Sequence, residues 1–140
     1  MAYVSTNGLD ELLSDLGSIA EIPDETILNM LVAEAEVIAP AQAAEARSMG
    51  VFDTGKTAAS ITYDRKLTTK DGSKSISVYP KGTRSDGNRR SVAEVAFVNE
   101  FGTSSQPARP FINTANQKSA DAAVEAAAAV YDRFLSSKNL

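Results

Sequence analysis

Two long helical patterns bracket a short stretch of alternating residues, and this order most constrains the fold. The first pattern begins near Pro23-Asp24-Glu25, where proline and acidic residues suit the first turn of a helix. It ends at Gly50, a residue type that often follows a helix. The second, Ala115–Leu135, is rich in alanine, which has the highest helix propensity. Pro40 removes a backbone hydrogen bond of the first helix, so we expect a long kinked helix, followed later in the chain by a C-terminal helix.

Helical spacing predicts which side of each long helix faces the core. On the first helix that side holds Ile27, Met30, Leu31, Glu34 and Ile38. On the last helix it holds Phe111, Ala115, Lys118, Ala122, Val124, Ala127, Tyr131, Phe134 and Leu135. Because much of the apolar content is alanine and only 6% of residues are aromatic, we expect a thin core that partners help to complete.

Strand-like alternation lies between the two helices. Ser60–Leu67 and Lys74–Pro80 alternate in polarity, and Asp71-Gly72 lies in the connection Thr68–Ser73, so we predict a β-hairpin. The following segment, Lys81–Arg90, has two glycines, four basic side chains and no large apolar residue. It predicts an exposed, mobile loop over residues 81–91.

Two further segments complete the predicted domain. Val92–Phe101 fits either a strand or a short helix, and we favour a helix because Gly102 can end one. Near the N-terminus, we predict a helical segment within residues 1–22, with Leu9, Leu12, Leu13, Leu16 and Ile19 on one face. Residues 1–140 then make one α+β domain, in which the helices pack on a small antiparallel sheet.

The composition removes several kinds of catalytic site. The chain has no cysteine and no histidine. Thiolate nucleophiles, Ser-His-Asp triads and histidine zinc sites are therefore excluded. We predict no catalytic residue, no metal site and no cofactor, and expect a protein that is not an enzyme. No basic stretch precedes an apolar run at the N-terminus, and no run approaches 18 apolar residues, so we expect no signal peptide and no membrane span.

One nucleotide-binding motif matches formally. Gly50–Thr57, GVFDTGKT, has the spacing of a phosphate-binding loop. Such a loop follows a buried strand and opens a helix, whereas here an alanine-rich helix precedes it and strand-like sequence soon follows. A turn between the helix and the hairpin is the better interpretation.

Charge is distributed unevenly along the chain. Residues 1–50 hold nine acidic residues and one basic residue, whereas residues 51–110 hold six acidic and ten basic ones. These charges either form solvated faces or let unlike faces of neighbouring copies meet head to tail. As an alternative function, Lys81, Arg84, Arg89 and Arg90 of the basic loop 81–90 could bind nucleic acid.

The segment Ala96–Ile112, AFVNEFGTSSQPARPFI, resembles the signature of the phage tail-completion family, also described as neck or head–tail joining proteins of long-tailed phages. The matching positions are Glu100, Phe101, Gly102, Thr103, Arg109, Pro110 and Phe111. Upstream, Asp53, Thr54 and Gly55, followed by Ser60 and Ile61, resemble the family's Thr-Gly turn and the opening of its first strand. The order of motifs agrees over residues 24–135, although Met49–Phe52 and Lys56-Thr57 depart from the pattern.

The resemblance implies a structural component of the virion at the head–tail junction or the head-proximal end of the tail. Such a protein assembles as a ring, commonly a hexamer, and serves tail completion and head–tail joining. Its partners would be copies of itself, tail-tube subunits and a head-side connector protein, with DNA only as passing cargo. The implied locations are the virion and, during assembly, the host cytoplasm. Within the motif, we expect Arg109 to pair with Glu100 and hold the intervening loop closed.

Overall fold

The computed structural model describes residues 22–51, 56–82 and 91–138. Its elements are α1 (Asp24–Ser48), α2 (Lys56–Ala59), β1 (Ile61–Tyr63), β2 (Thr68–Lys70), β3 (Ser73–Ser75), β4 (Val78–Pro80), α3 (Val92–Phe101) and α4 (Phe111–Ser137). The predicted α+β fold, with a long helix, a C-terminal helix and a small antiparallel strand set, is confirmed. The helix predicted within residues 1–22 lies outside the described residues.

Helices α1 and α4 pack against each other in antiparallel orientation. Near the end of α1, the Gln42 side-chain amide donates to Asn116 Oδ1 at 3.0 Å, and Glu45 pairs with Lys118 at 2.6 Å. At the other end, Asn29 of α1 and Phe134 of α4 line the same cleft. The buried residues between these ends are mostly small, which allows the two backbones to approach closely: Ala35, Ala39, Ala43 and Ala46 on α1, and Ala115, Ser119, Ala123 and Ala127 on α4.

The predicted core face of α1 is wrong. The larger apolar residues of that face are only half-buried, and Val32, Ala35, Ala39, Gln42, Ala43 and Ala46 are buried instead. On α4, Phe111, Ala115, Ala127 and Phe134 are buried as predicted, whereas Lys118, Ala122 and Val124 are exposed and Ser119 and Ala123 are buried in their place. Close helix packing selects small side chains, so apolar bulk does not mark the contact. Among the described residues, nine of the fourteen buried hydrophobic side chains are alanine, which agrees with a thin core.

The end of α1 forms a regular stop at the predicted glycine. Gly50 has a φ of 73°, and its N–H donates to the Arg47 carbonyl at 3.3 Å. The Val51 N–H donates to the Ala46 carbonyl at 2.8 Å, which completes a Schellman motif. Helix α1 includes Pro40 without ending there. The bend at Pro40 stays a prediction.

The predicted hairpin is present, but its strands are shorter than the sequence suggested. Strand β1 pairs with β4 and β2 pairs with β3, both antiparallel. Four residues, 64–67, separate β1 from β2, whereas only 76–77 separate β3 from β4, so the two pairings differ in register. Strand β2 also lies inside the connection predicted over Thr68–Ser73. The Asp71-Gly72 turn is confirmed, since both residues have positive φ values, 50° and 79°, as a type I′ turn requires.

By length and mean hydropathy alone, α1 could cross a membrane, which a count of unbroken apolar runs does not detect. The core helix of a soluble protein passes the same test. Here α1 packs against α4 through its buried alanines, as a core helix does, and 22% of the apolar window is buried.

Candidate functional site

The segment that resembles the phage signature, Ala96–Ile112, begins within helix α3. Val92–Phe101 is thus a helix, the alternative that we favoured, and not a strand. Ser91 caps this helix, because its hydroxyl accepts a hydrogen bond from the Glu94 N–H at 3.2 Å. Ser91 and Glu94 have the spacing of a capping box, a signal in the sequence that indicates a helix start and could have decided the choice. The helix ends where Gly102 donates its N–H to the Val98 carbonyl at 2.8 Å.

Gly102 occupies a position that only glycine fits. Its φ of 75° and ψ of 178° lie in a region of backbone conformation that is essentially restricted to glycine. In addition, a Cβ at this position would lie 2.8 Å from the Ala108 nitrogen and 2.9 Å from the Gln106 carbonyl oxygen. The returning chain therefore passes directly over Gly102.

The loop that follows is closed by backbone groups and by Asn99. The Thr103 N–H donates to the Gln106 carbonyl at 2.8 Å, and the Gln106 N–H returns a bond of 3.4 Å. The side-chain oxygen of the buried Asn99 accepts a hydrogen bond from the Gln106 side-chain amide at 3.2 Å. The main-chain carbonyl of Asn99 accepts another from the Arg109 N–H at 2.5 Å. Sequence reasoning gave Asn99 no role in closing this loop.

Glu100 caps the last helix. Its two carboxylate oxygens accept hydrogen bonds from the N–H groups of Ile112 at 2.8 Å and Asn113 at 2.9 Å. These N–H groups lie in the first turn of α4, where the helix supplies no partner and where the helix dipole favours a negative charge. Glu100 is buried, so its charge is satisfied by the end of α4 rather than by water.

The predicted pairing of Glu100 with Arg109 is therefore wrong. The Arg109 guanidinium donates instead to the Gly50 carbonyl at 2.8 Å, where α1 ends. That carbonyl lies beyond the last turn of α1 and can accept a side-chain donor. Both charged residues of the motif thus bind backbone groups at helix ends, and each ties two distant parts of the chain together.

Phe111 is the anchor of this unit. Pro110 precedes α4 rather than lying in its first turn, and the Phe111 N–H donates across it to the Arg109 carbonyl at 2.8 Å. The Phe111 ring is fully buried in a cluster with Ala43, Ala46, Val51, Ala58 and Ala96. Burial of a phenylalanine side chain contributes about 1.5–3 kcal/mol.

The upstream half of the signature lies partly within the described residues. Ser60 donates its hydroxyl to the Thr57 carbonyl at 3.0 Å and so ends α2. Ile61 is half-buried and packs against the Phe111 cluster. Asp53, Thr54 and Gly55 lie outside the described residues.

Of the predicted loop over residues 81–91, only Lys81, Gly82 and Ser91 lie within the described residues. Lys81 is exposed and directly follows β4. Arg84, Arg89 and Arg90 lie outside the described residues, so the nucleic-acid alternative stays a hypothesis.

The described residues offer little for chemistry. Within residues 22–51, 56–82 and 91–138, no three carboxylates lie close enough together to hold a metal ion. The formal phosphate-loop match begins just after α1, an α-helix rather than a strand, and ends inside the four-residue α2. This is the context expected for a turn.

The outer face of α3 is apolar and open. Phe97 and Phe101 are 64% and 67% exposed, and their ring centroids lie 4.8 Å apart. Val78 and Tyr79 of β4 and Ile112 of α4 line the same groove, which we call the α3 groove. On α3, the polar side chains of Asn99 and Glu100 therefore face inwards, whereas the aromatic rings of Phe97 and Phe101 face solvent.

The chain matches no family model, and neither a curated protein nor a solved structure is significantly similar to it.

Proposed function

We propose that this protein is a structural component of a phage virion at the head–tail junction or the head-proximal end of the tail. It would assemble as a ring and contact tail-tube subunits on one side and a head-side connector protein on the other. The proposal begins from the resemblance of Ala96–Ile112 to the tail-completion signature.

The observation that carries the proposal is how the charged residues of that segment are used. Glu100 and Arg109 bind backbone groups at 2.8–2.9 Å, and Gly102 and Phe111 are fixed by close packing. A glutamate and an arginine in a catalytic site would have to face a substrate. Here they bind the ends of three helices to one another. This is expected of residues that stabilise a fold rather than act on a substrate.

Two further observations support assembly into a larger structure. The buried core is dominated by alanine, whose burial stabilises less than that of larger side chains. The exposed Phe97–Phe101 pair places apolar surface where a neighbour could cover it. A subunit that is completed by its neighbours explains both.

The decisive test is deletion of the gene from the phage or prophage that carries it, followed by electron microscopy of the lysate. Filled heads beside unattached tails of normal length would identify a joining protein, and overlong tails a tail terminator. Complementation with the wild-type gene is the control. Normal virions from the deletion strain would refute the proposal.

A further inference from the structure

A cleft opens between the start of α1 and the end of α4, and we call it the α1–α4 cleft. Its volume is about 500 Å³, a size typical of small-molecule sites. Apolar side chains line it from both helices: Val32 and Ala33 on α1, and Val130 and Phe134 on α4. Val32 and Phe134 are buried and the other two are half-buried, so the cleft has an apolar floor.

Two arginines line the same cleft from different parts of the chain. Arg65 lies in the connection between β1 and β2, and Arg133 lies near the end of α4. Both are exposed, and among the described residues neither forms an ion pair with a carboxylate. Helical spacing offers Arg133 no carboxylate either, because its neighbours three and four positions away are Ala129, Val130, Ser136 and Ser137.

Tyr63 holds the Arg65 side chain in place. The central carbon of the guanidinium lies 6.0 Å from the centroid of the Tyr63 ring, which is a cation–π contact. The Tyr63 hydroxyl in turn donates to Glu36 Oε1 on α1 at 3.2 Å, so the ring is fixed to the helix that lines the cleft. The N–H groups of a guanidinium lie at its edges, where a carboxylate or a phosphate can accept two of them at once.

The carboxylates around the cleft do not cancel the positive charge. Glu36 lines the cleft, so two arginines face one carboxylate and leave an excess of one positive charge. Lys138 adds another cation beside the cleft, since its ammonium lies 5.9 Å from the centroid of the Phe134 ring. Three acidic residues are adjacent in sequence to lining positions but do not line the cleft themselves: Glu25, Asp64 and Asp132. Asp64 is also engaged elsewhere, because it accepts a hydrogen bond from Tyr79.

We propose that the α1–α4 cleft binds a small organic oxyanion, in which a carboxylate or phosphate group is attached to an apolar body. Arg65 and Arg133 bind the oxyanion, and Val130 and Phe134 contact the apolar body. None of the residues that line the cleft belongs to Ala96–Ile112, so this site is separate from the segment on which the proposed function is based.

Titration of the full chain with two probes, phenyl phosphate and phenylacetate, tests the proposal. Nuclear magnetic resonance of ¹⁵N-labelled protein locates the binding site, and we expect saturable shifts of the Asn29 and Val130 amides. The tighter probe should have a dissociation constant of about 1 mM, as expected for a small ligand in an open cleft. Which probe binds more tightly tells whether the natural ligand carries a phosphate or a carboxylate. Benzyl alcohol, which has a similar apolar body but no charge, should produce no saturable shift.

Single substitutions then test the role of each part of the cleft. Arg65→Gln and Arg133→Gln should each weaken binding of the anion about tenfold, because each removes charge-assisted hydrogen bonds. Arg47→Gln is the matched control and should leave the affinity unchanged, since Arg47 is exposed on α1 but does not line the cleft. Val130→Ala should weaken the binding of phenyl phosphate but not that of inorganic phosphate, because only the former reaches the apolar floor. Circular dichroism confirms that each variant folds.

Three outcomes would overturn the proposal. The first is the absence of saturable shifts at the cleft with either anion up to about 20 mM, well above the expected dissociation constant. The second is equal weakening by Arg47→Gln, which would show a general attraction of anions to basic side chains. The third is equally tight binding of benzyl alcohol, which would show that the arginines take no part. The virion role is tested separately by the gene deletion, so either result leaves the other open to its own test.

Discussion

The Glu100 carboxylate holds the first turn of the C-terminal helix through a 2.8 Å hydrogen bond from the Ile112 N–H. Its second oxygen binds the Asn113 N–H at 2.9 Å, so two N–H groups without helical partners are satisfied by one side chain. This contact joins the end of α3 to the start of α4 across the loop that resembles the phage signature.

Replacement of Glu100 should therefore destabilise the fold. Because the site is buried, we expect Glu100→Ala to cost about 1–3 kcal/mol of unfolding free energy. Glu100→Gln should cost less, since one acceptor oxygen remains. Urea denaturation followed by circular dichroism measures both. Glu125→Ala, on the exposed side of α4, is the control and should change stability by less than about 0.5 kcal/mol. Equal effects of Glu100→Ala and Glu125→Ala would contradict the capping role.

Gly102→Ala should be more damaging than alanine at another glycine of positive φ. Gly72 has a φ of 79°, but no atom lies within 4 Å of the place that a Cβ would occupy, so Gly72→Ala carries only the backbone strain, about 1–3 kcal/mol. Gly102→Ala adds contacts of 2.8 and 2.9 Å with Ala108 and Gln106. We expect a clearly lower melting temperature for Gly102→Ala than for Gly72→Ala. Equal melting temperatures would show that the loop does not pass close to Gly102.

Glu100 and Arg109 should act independently. Each binds backbone groups in a different part of the fold, Glu100 at α4 and Arg109 at Gly50. In a double-mutant cycle, Glu100→Ala and Arg109→Met should be additive within about 0.5 kcal/mol of unfolding free energy. A coupling energy clearly above about 0.5 kcal/mol would instead indicate a direct interaction between the two side chains, as the sequence had suggested.

Tyr79 should titrate above an ordinary tyrosine. Its hydroxyl donates a hydrogen bond of 3.0 Å to Asp64, and this bond, together with some desolvation and the nearby negative charge, raises the pKa of Tyr79 from 10.0. The stabilisation is present below the ordinary pKa and is lost as the pH rises through the raised pKa of the folded state. In Asp64→Asn the pKa should fall towards 10.0. Tyrosine ¹³Cζ shifts followed by NMR against pH measure it, and an unchanged Tyr79 curve in Asp64→Asn would refute the contact.

The sequence predicted local structure well where one residue decides the outcome. Gly50, Gly102 and the Asp71-Gly72 turn all adopt the positive φ values that their positions suggested. Long-range partners could not be predicted in the same way. Arg109 binds the Gly50 carbonyl, 59 positions away. Because every residue has such a carbonyl, the pattern of side chains cannot indicate which one is the acceptor. Opposite charges close together in the sequence suggested an ion pair between Glu100 and Arg109. In the fold, each side chain instead lies next to a different backbone group and binds it.

The helix faces show the same limit for packing. Helical periodicity of large apolar residues marked Leu31 and Ile38 as core, yet α1 buries Ala35 and Ala39 instead. Two helices that approach closely bury small side chains, and the displaced apolar residues remain half-exposed. A hydrophobicity pattern cannot distinguish these arrangements, because alanine contributes little to it.

The close contact of α1 with α4 predicts a sharp difference between two adjacent alanines. Ala123 is buried against α1, whereas Ala122 is exposed on the same helix. Ala123→Leu should force the helices apart and cost about 1–3 kcal/mol of unfolding free energy. Ala122→Leu, which has the same helix propensity change, should stay within about 0.5 kcal/mol of wild type. Chemical denaturation of the two variants measures the difference, and a more stable Ala123→Leu protein would show that α1 and α4 are not in close contact.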